Sequence, residues 1–283
     1  MSAPRACFGG LTVALFAVGA ALAAVPEVGY LMPSQFTVAS GGEVQARFEV
    51  GSATTTKVSS WPAERLGYFF IRSGGTQENR DTLPATQDAP TRSEPIRLTH
   101  AGVAVLGLDM QPEVVLTPVA DLQRFVEQNV AEGARSAVLG QASRQQAVRV
   151  RRVESALTMV RVPSADGKRR PSSIAMSKTG QPAEIRCLFD PTMLKVGSDF
   201  PVRIYAGGSA RAGVQVKATS VATGQSETKL TDASTTTHFR ITSTGTWRIE
   251  FHYVEALTED PDADYVIYSG TLTFEVPAEG AGE

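Results

Sequence analysis

Between residues 183 and 276 apolar and polar side chains alternate in short segments, each closed by turn-forming residues. A period of two is the signature of a strand with two unlike faces and cannot be accommodated by a helix of 3.6 residues per turn. The clearest case begins after Thr246. Trp247, Ile249, Phe251 and Tyr253 share one face, and Arg248, Glu250 and His252 share the other. Segments 183–189, 200–205, 214–220, 236–241, 246–254 and 265–276 follow this pattern, with breaks at Gly207-Gly208, Gly224 and Ser243-Thr244-Gly245. About six or seven short strands at such spacing predict an immunoglobulin-like β-sandwich over residues 172–277.

The first half of the chain reads similarly, with one interruption. Val44, Ala46, Phe48 and Val50 alternate with Glu43, Gln45, Arg47 and Glu49, after a break at Ser40-Gly41-Gly42. Segments 66–72, 96–100, 103–108 and 114–116 complete a predicted first β-sandwich, residues 25–118, with a polar excursion at 74–95. Thr117-Pro118 then reads as a helix N-cap and first helical residue, with Asp121 in the first turn. Leu122, Phe125, Val126 and Val130 recur at helical spacing, Gly133 stops or bends the run, and 134–146 allows a second short helix. Residues 148–162 lean towards strand. The expected fold class is therefore mainly β, with two sandwich domains joined by a helical insert and basic linker, 119–171.

The N-terminus carries Arg5, an apolar stretch over 11–25, and small residues at Ala21 and Ala23-Ala24. This is the arrangement of a cleavable secretory signal, residues 1–24. The apolar run is shorter than the roughly 20 residues that span a bilayer. No second apolar segment follows, so the mature chain is expected to lack a transmembrane segment. Cys7 leaves with the leader, and Cys187 alone cannot form an intramolecular disulfide. About 260 mature residues can bury some 70–75% of their unfolded surface without one. The expected compartment is the periplasm, with residues 278–283 a disordered tail. A net charge of −2 argues against nucleic acid as a partner.

Few residues suggest chemistry. If segments 236–241 and 246–254 form a hairpin about Ser243-Thr244-Gly245, His238 and His252 share a polar face, diagonally about 7–8 Å apart. With Glu250 they are the candidate ligands for a divalent transition metal, the only cofactor the chain suggests. Asp260, Asp262 and Asp264 resemble the start of a calcium loop. However, Tyr265 stands where Gly is required and Thr271 where a bidentate Glu is required. Cys187 alternates with Ile185 and Phe189, which places its thiol in the core. Residues 121–170 hold ten Lys and Arg against five Asp and Glu. This excess is read as a solvated face, or as a surface for an anionic partner. No HExxH, GxSxG or Gly-rich phosphate loop is present, and the chain is not expected to be an enzyme.

Two stretches together carry a family resemblance. The first is Tyr30-Leu31-Met32-Pro33-Ser34-Gln35-Phe36-Thr37-Val38 followed by Gly41. The second runs from Gly245-Thr246-Trp247-Arg248 through Asp262-Ala263-Asp264-Tyr265 to Leu272-Thr273-Phe274-Glu275-Val276. With the helical insert, they resemble the exported domain-of-unknown-function family 4198, whose members are often described as periplasmic components associated with nickel or cobalt uptake. That family typically begins its mature chain with His, an acidic residue and a Phe-Trp pair. Here those places read Glu27, Val28, Gly29 and Tyr30, so the N-terminal histidine ligand is missing. Residues 195–247 also resemble carboxypeptidase-regulatory or transthyretin-like β-modules. Thr231-Asp232-Ala233-Ser234 keeps the start of their turn, but its Gly is absent.

The expectation for function is an exported, non-enzymatic accessory or binding protein, which the resemblance links to transition-metal uptake. Its partners would be an uptake system or other envelope proteins. The alternative is a structural protein-interaction module of the cell envelope with no small-molecule ligand.

Overall fold

A computed structural model describes residues 28–58, 65–74, 76–80, 85–86, 89–140, 142, 145–166 and 169–278. The expected secretory leader 1–24, Glu27 and most of the expected tail 278–283 lie outside the described residues. The chain opens with strands β1 (Val28–Pro33), β2 (Glu43–Val44), β3 (Ala46–Gly51), β4 (Thr56–Val58), β5 (Leu66–Ser73) and β6 (Thr76–Arg80). Then come β7 (Ala85–Thr86), β8 (Ala89–Ser93), β9 (Ile96–Arg97), β10 (Gly102–Met110) and β11 (Glu113–Pro118). Helices α1 (Val119–Asn129) and α2 (Glu132–Leu139) lead into the long β12 (Ala147–Val162). The single turn α3 (Ser173–Met176) precedes β13 (Ala183–Cys187), β14 (Asp199–Ala206), β15 (Ser209–Ala210) and β16 (Gln215–Ser220). The chain closes with β17 (Ser226–Leu230), β18 (Thr236–Arg240), β19 (Gly245–Ala256) and β20 (Tyr265–Val276).

The fold is mainly β, as the alternation requires. Both expected sandwiches share one sheet, which runs β17-β16-β19-β20-β12-β10-β5-β6, with β11 also paired to β12. The shared member is β12. It pairs antiparallel with β10 on one side and parallel with β20 on the other, matching Ser155 to Asp109 and to Gly270. Its length makes this possible, because sixteen residues give two sets of neighbours room along both edges.

Each face of the central sheet is covered by a smaller sheet. On one side lie β13, β14, β15 and β18, enclosing Ile185, Phe200, Ile204 and Phe239 against Trp247, Phe251 and Phe274. The rings of Phe200 and Phe274 lie 4.9 Å apart and tilted, as quadrupolar rings prefer. On the other side the N-terminal strands β1, β3, β4, β7 and β8 pack Leu31, Ala46 and Phe48 onto Phe69, Leu106 and Val160. Farther along that side, Leu122, Phe125 and Val126 of α1 cover Val148, Val150, Tyr265 and Ile267. Large-to-small changes in such cores cost about 3–5 kcal/mol for Phe to Ala.

Several local expectations change. The expected hairpin between β18 and β19 does not form. β18 pairs with β14, and β19 with β16 and β20, so Ser243-Thr244-Gly245 crosses from one sheet to the other. Pro118 rather than Thr117 is the N-cap of α1, and Thr117 Oγ1 donates to the Val115 carbonyl instead. Gly133 lies inside α2, which ends at Leu139. No Gly follows Thr231-Asp232-Ala233-Ser234, and Thr235 itself takes the left-handed conformation, with φ 66°. Asp232 Oδ1 holds that turn by accepting from the backbone amides of Ser234 and Thr236.

Candidate binding site

The three candidate metal ligands are not brought together. His238 lies on β18, where Nδ1 is 2.7 Å from Asp199 Oδ2 at the surface. His252 lies on β19 in the central sheet, buried at 8% exposure, with Nδ1 2.8 Å from Ser269 Oγ and its ring edge-on to Phe125. Burial pushes its pKa down to about 4, so the ring is neutral at pH 7. Glu250 accepts from the Tyr30 hydroxyl and pairs with Lys217 at 3.1 Å. Among the described residues, no group of three or more His, Cys, Asp or Glu is placed to hold a metal ion.

The face of β19 read as polar and exposed is in fact covered. Arg248 is 3% exposed, and β1, β3 and β4 lie over it. Its guanidinium donates to Glu49 and to the Ala53 carbonyl and stacks 4.7 Å from the Tyr30 ring centre. Glu49 also accepts from Arg47 at 2.7 Å and Thr56 Oγ1 at 2.6 Å. Burial raises the Glu49 pKa, but the Thr56 hydroxyl and the two arginines outweigh it and hold the carboxylate below its ordinary value. Burial, with Glu250 beside it, drives the Tyr30 phenol far above its own. Thr271 Oγ1 donates to the Gly29 carbonyl at 2.7 Å. Beside this network is a cavity of only about 10 Å³, bordered by His252, Glu154 and Ser269, room for one water at most. These groups join one layer to the next and leave no space for a ligand.

The acidic loop is occupied as well. Asp260 takes both terminal nitrogens of Arg151, at 2.5 and 2.9 Å, and Asp264 is bound by Arg149 through its backbone amide and guanidinium. The Arg151 hydrogen bonds lower the Asp260 pKa to about 2. Cys187 is buried in the core as the alternation implies, and burial raises its thiol far above the reactive range.

Among the described residues there is also an open cleft of about 350 Å³ where β10, the end of β12, residues 163–164 and 169–173, and the 3-10 turn Pro191–Met193 meet. Arg161, Arg169 and Arg170, the last paired with Asp166, line it with Ser172, Ser173 and Thr192. The Arg161 backbone is held from both sides. It pairs with Val103 of β10, donates to the Phe36 carbonyl at 2.8 Å, and accepts from Val38 at 2.9 Å. Asp190 fastens the opposite wall, accepting from Thr192 N and Oγ1 with one oxygen and from Ser172 N with the other. Among the described residues, neither Arg161 nor Arg169 forms an ion pair, and Arg169 Nε is buried with no hydrogen-bond partner. Desolvation, then the Arg169 charge, lower the Arg161 pKa and outweigh the Asp190 charge, which raises it.

Sequence reading missed this cleft, although the basic excess over 121–170 was its trace. Arg149 and Arg151 are neutralised by the acidic loop, Arg152 faces Glu113, and Arg170 pairs with Asp166. Among the described residues of that stretch, Arg135, Arg161 and Arg169 are left without a carboxylate, and of these Arg161 and Arg169 line the cleft.

A family model described as a domain of unknown function (DUF4198) matches residues 28–255. No curated protein matches the chain.

Proposed function

The chain belongs to the DUF4198 family of domains of unknown function, and from that membership we propose that it is a non-enzymatic binding protein exported to the periplasm. The observation that carries this reading is the cleft of about 350 Å³, a volume within the range of small-molecule sites. Its polar lining consists of arginines and hydroxyls, groups suited to holding a ligand. The leader-like segment 1–24 supports export. Among the described residues, no helix is long and apolar enough to cross a membrane. The association with nickel or cobalt uptake implied by the resemblance is carried here as an accessory role, in which the protein serves an uptake system and presents a ligand to it.

A second reading is an interaction module of the cell envelope. It is favoured by β11, an edge strand paired only with β12 among the described strands, whose Leu116 is 68% exposed and Val114 47%. Such an edge can accept a strand from a partner.

The two are separated by screening the mature chain, starting at Val25, against a library of periplasmic small molecules. The expected result is a thermal shift with one compound, recovered chemically unchanged after hours with the protein. A consumed compound would sink the non-enzymatic reading, and no shift with any compound would favour the interaction module. Calorimetry with nickel, cobalt, copper and zinc tests the metal role directly. A stoichiometric heat abolished in the His238→Ala/His252→Ala double variant would make those residues ligands after all.

A further inference from the structure

We propose that the cleft is a phosphate site, in which Arg161 and Arg169 bind the phosphate group of a phosphomonoester while the rest of the ligand fills the open part. The inference rests on reading the cleft as the ligand site, and adds the class of ligand.

The first argument is the cost of the arrangement. Two guanidinium groups line the same cleft, and burial, then the Arg169 charge, disfavour the charge of Arg161. Among the described residues the Asp190 charge opposes this only in part, without an ion pair to either arginine. Arg65, Arg203 and Arg248 also bury an unbonded Nε, yet Arg65 and Arg248 commit their terminal nitrogens to carboxylates, Glu113 and Glu154 in one case and Glu49 in the other, and Arg203 hydrogen-bonds Tyr205. Arg169 has no such carboxylate. The neighbouring acid, Asp190, already has both oxygens engaged. Glu275, across the shallow pocket behind Arg161 and Arg169, pairs with neither arginine, and burial raises its pKa. Sites that sacrifice stability in this way are where function is expected.

The second argument selects the anion. A carboxylate has two oxygens and is satisfied by one guanidinium fork. A phosphomonoester offers three oxygens and a charge near −2 at pH 7, which matches two forks. The volume selects the rest, because about 350 Å³ greatly exceeds a bare phosphate ion. Ser173 supplies a hydroxyl for the remainder, and Thr192 Oγ1, which donates to Asp190, can still accept a hydrogen bond from it. The Arg161 main chain is fixed by backbone bonds on both sides, so the backbone under the site is in place before the ligand arrives.

The test is calorimetric titration of the mature chain at pH 7.5 and low salt with glycerol 3-phosphate, inorganic phosphate and glycerol. The proposal expects one-to-one binding of glycerol 3-phosphate, weaker binding of inorganic phosphate and none of glycerol. Arg161→Gln and Arg169→Gln should each weaken phosphate binding about tenfold or more, while Arg124→Gln on exposed α1 changes nothing. Without ligand, the two cleft variants should melt at or above the wild-type temperature, because each removes an unpaired charge. A purely structural role would lower it. If Arg169→Gln does not fold, Arg169→Lys keeps the charge, loses the fork and should still weaken binding. Sedimentation with vesicles of phosphatidic acid or of phosphatidylcholine identifies the source. Cleft-dependent binding to phosphatidic acid alone supports a lipid headgroup, and binding of the soluble ester supports a free metabolite. Absence of phosphate binding in every form at millimolar concentration would overturn the proposal, as would binding unchanged in both glutamine variants. A neutral compound bound in the cleft would overturn it too, while leaving the binding-protein reading intact.

Discussion

Arg248 and Glu49, 199 positions apart in sequence, meet as an ion pair at 3% and 6% side-chain exposure between the N-terminal sheet and the central sheet. A pair this dry gains little over an apolar one, but breaking it strands a charge. Glu49→Gln or Arg248→Met alone should cost about 3–5 kcal/mol in urea denaturation. The Glu49→Leu/Arg248→Met double variant should recover much of that loss. Additive losses in the double-mutant cycle would show that the two residues act independently.

His252 makes stability depend on pH. Burial lowers its folded pKa to about 4 from an ordinary 6.5, so between these values the unfolded chain binds the proton more tightly. Its contribution is therefore complete above about pH 6.5 and is lost as pH falls towards 4, where the loss reaches about 3 kcal/mol. Denaturation midpoints at pH 7 and pH 5 should differ more for wild type than for His252→Gln. Equal slopes would mean that His252 is charged in the folded protein.

Thr235 is the only described non-glycine residue with positive φ. A β-branched side chain is poorly tolerated there, and glycine avoids the cost. Thr235→Gly should raise stability by about 1 kcal/mol, read as a higher melting temperature. A decrease would mean that the Thr235 hydroxyl bond to the Ser234 carbonyl outweighs the backbone strain.

Asp260 and Asp264 already have arginine partners. Millimolar calcium should therefore leave the melting temperature unchanged. A calcium-dependent rise, lost in Asp260→Asn, would show that the ion displaces Arg151.

Much of the C-terminal sandwich was legible because period two reports directly on strand faces. Helix α1 was legible for the same reason at period 3.6, through Leu122, Phe125 and Val126. Alternation says that two faces differ, but not what covers the second. Arg248, Glu250 and His252 looked solvent-facing because the residues that cover them, Tyr30, Glu49 and Phe125, are distant in sequence. The supposed hairpin had a similar origin. Residues 238 and 252 are close in sequence, but a sandwich often sends consecutive strands to opposite sheets. The basic and acidic stretches were each visible, yet their mutual neutralisation depended on the pairing of β12 with β20. The arginines left in the cleft could be recognised only after that subtraction.

The parallel pairing of β12 with β20 also dictates when the protein can become itself. Val150 waits for Tyr265, and Glu49 waits for Arg248. A chain presented from its N-terminus has nearly every residue out before its central sheet can close, and contacts this distant form slowly. Until then β12 has an open edge and the N-terminal sheet lacks its buried counter-charge. The emerging half is therefore an aggregation hazard that a holding chaperone would have to shield.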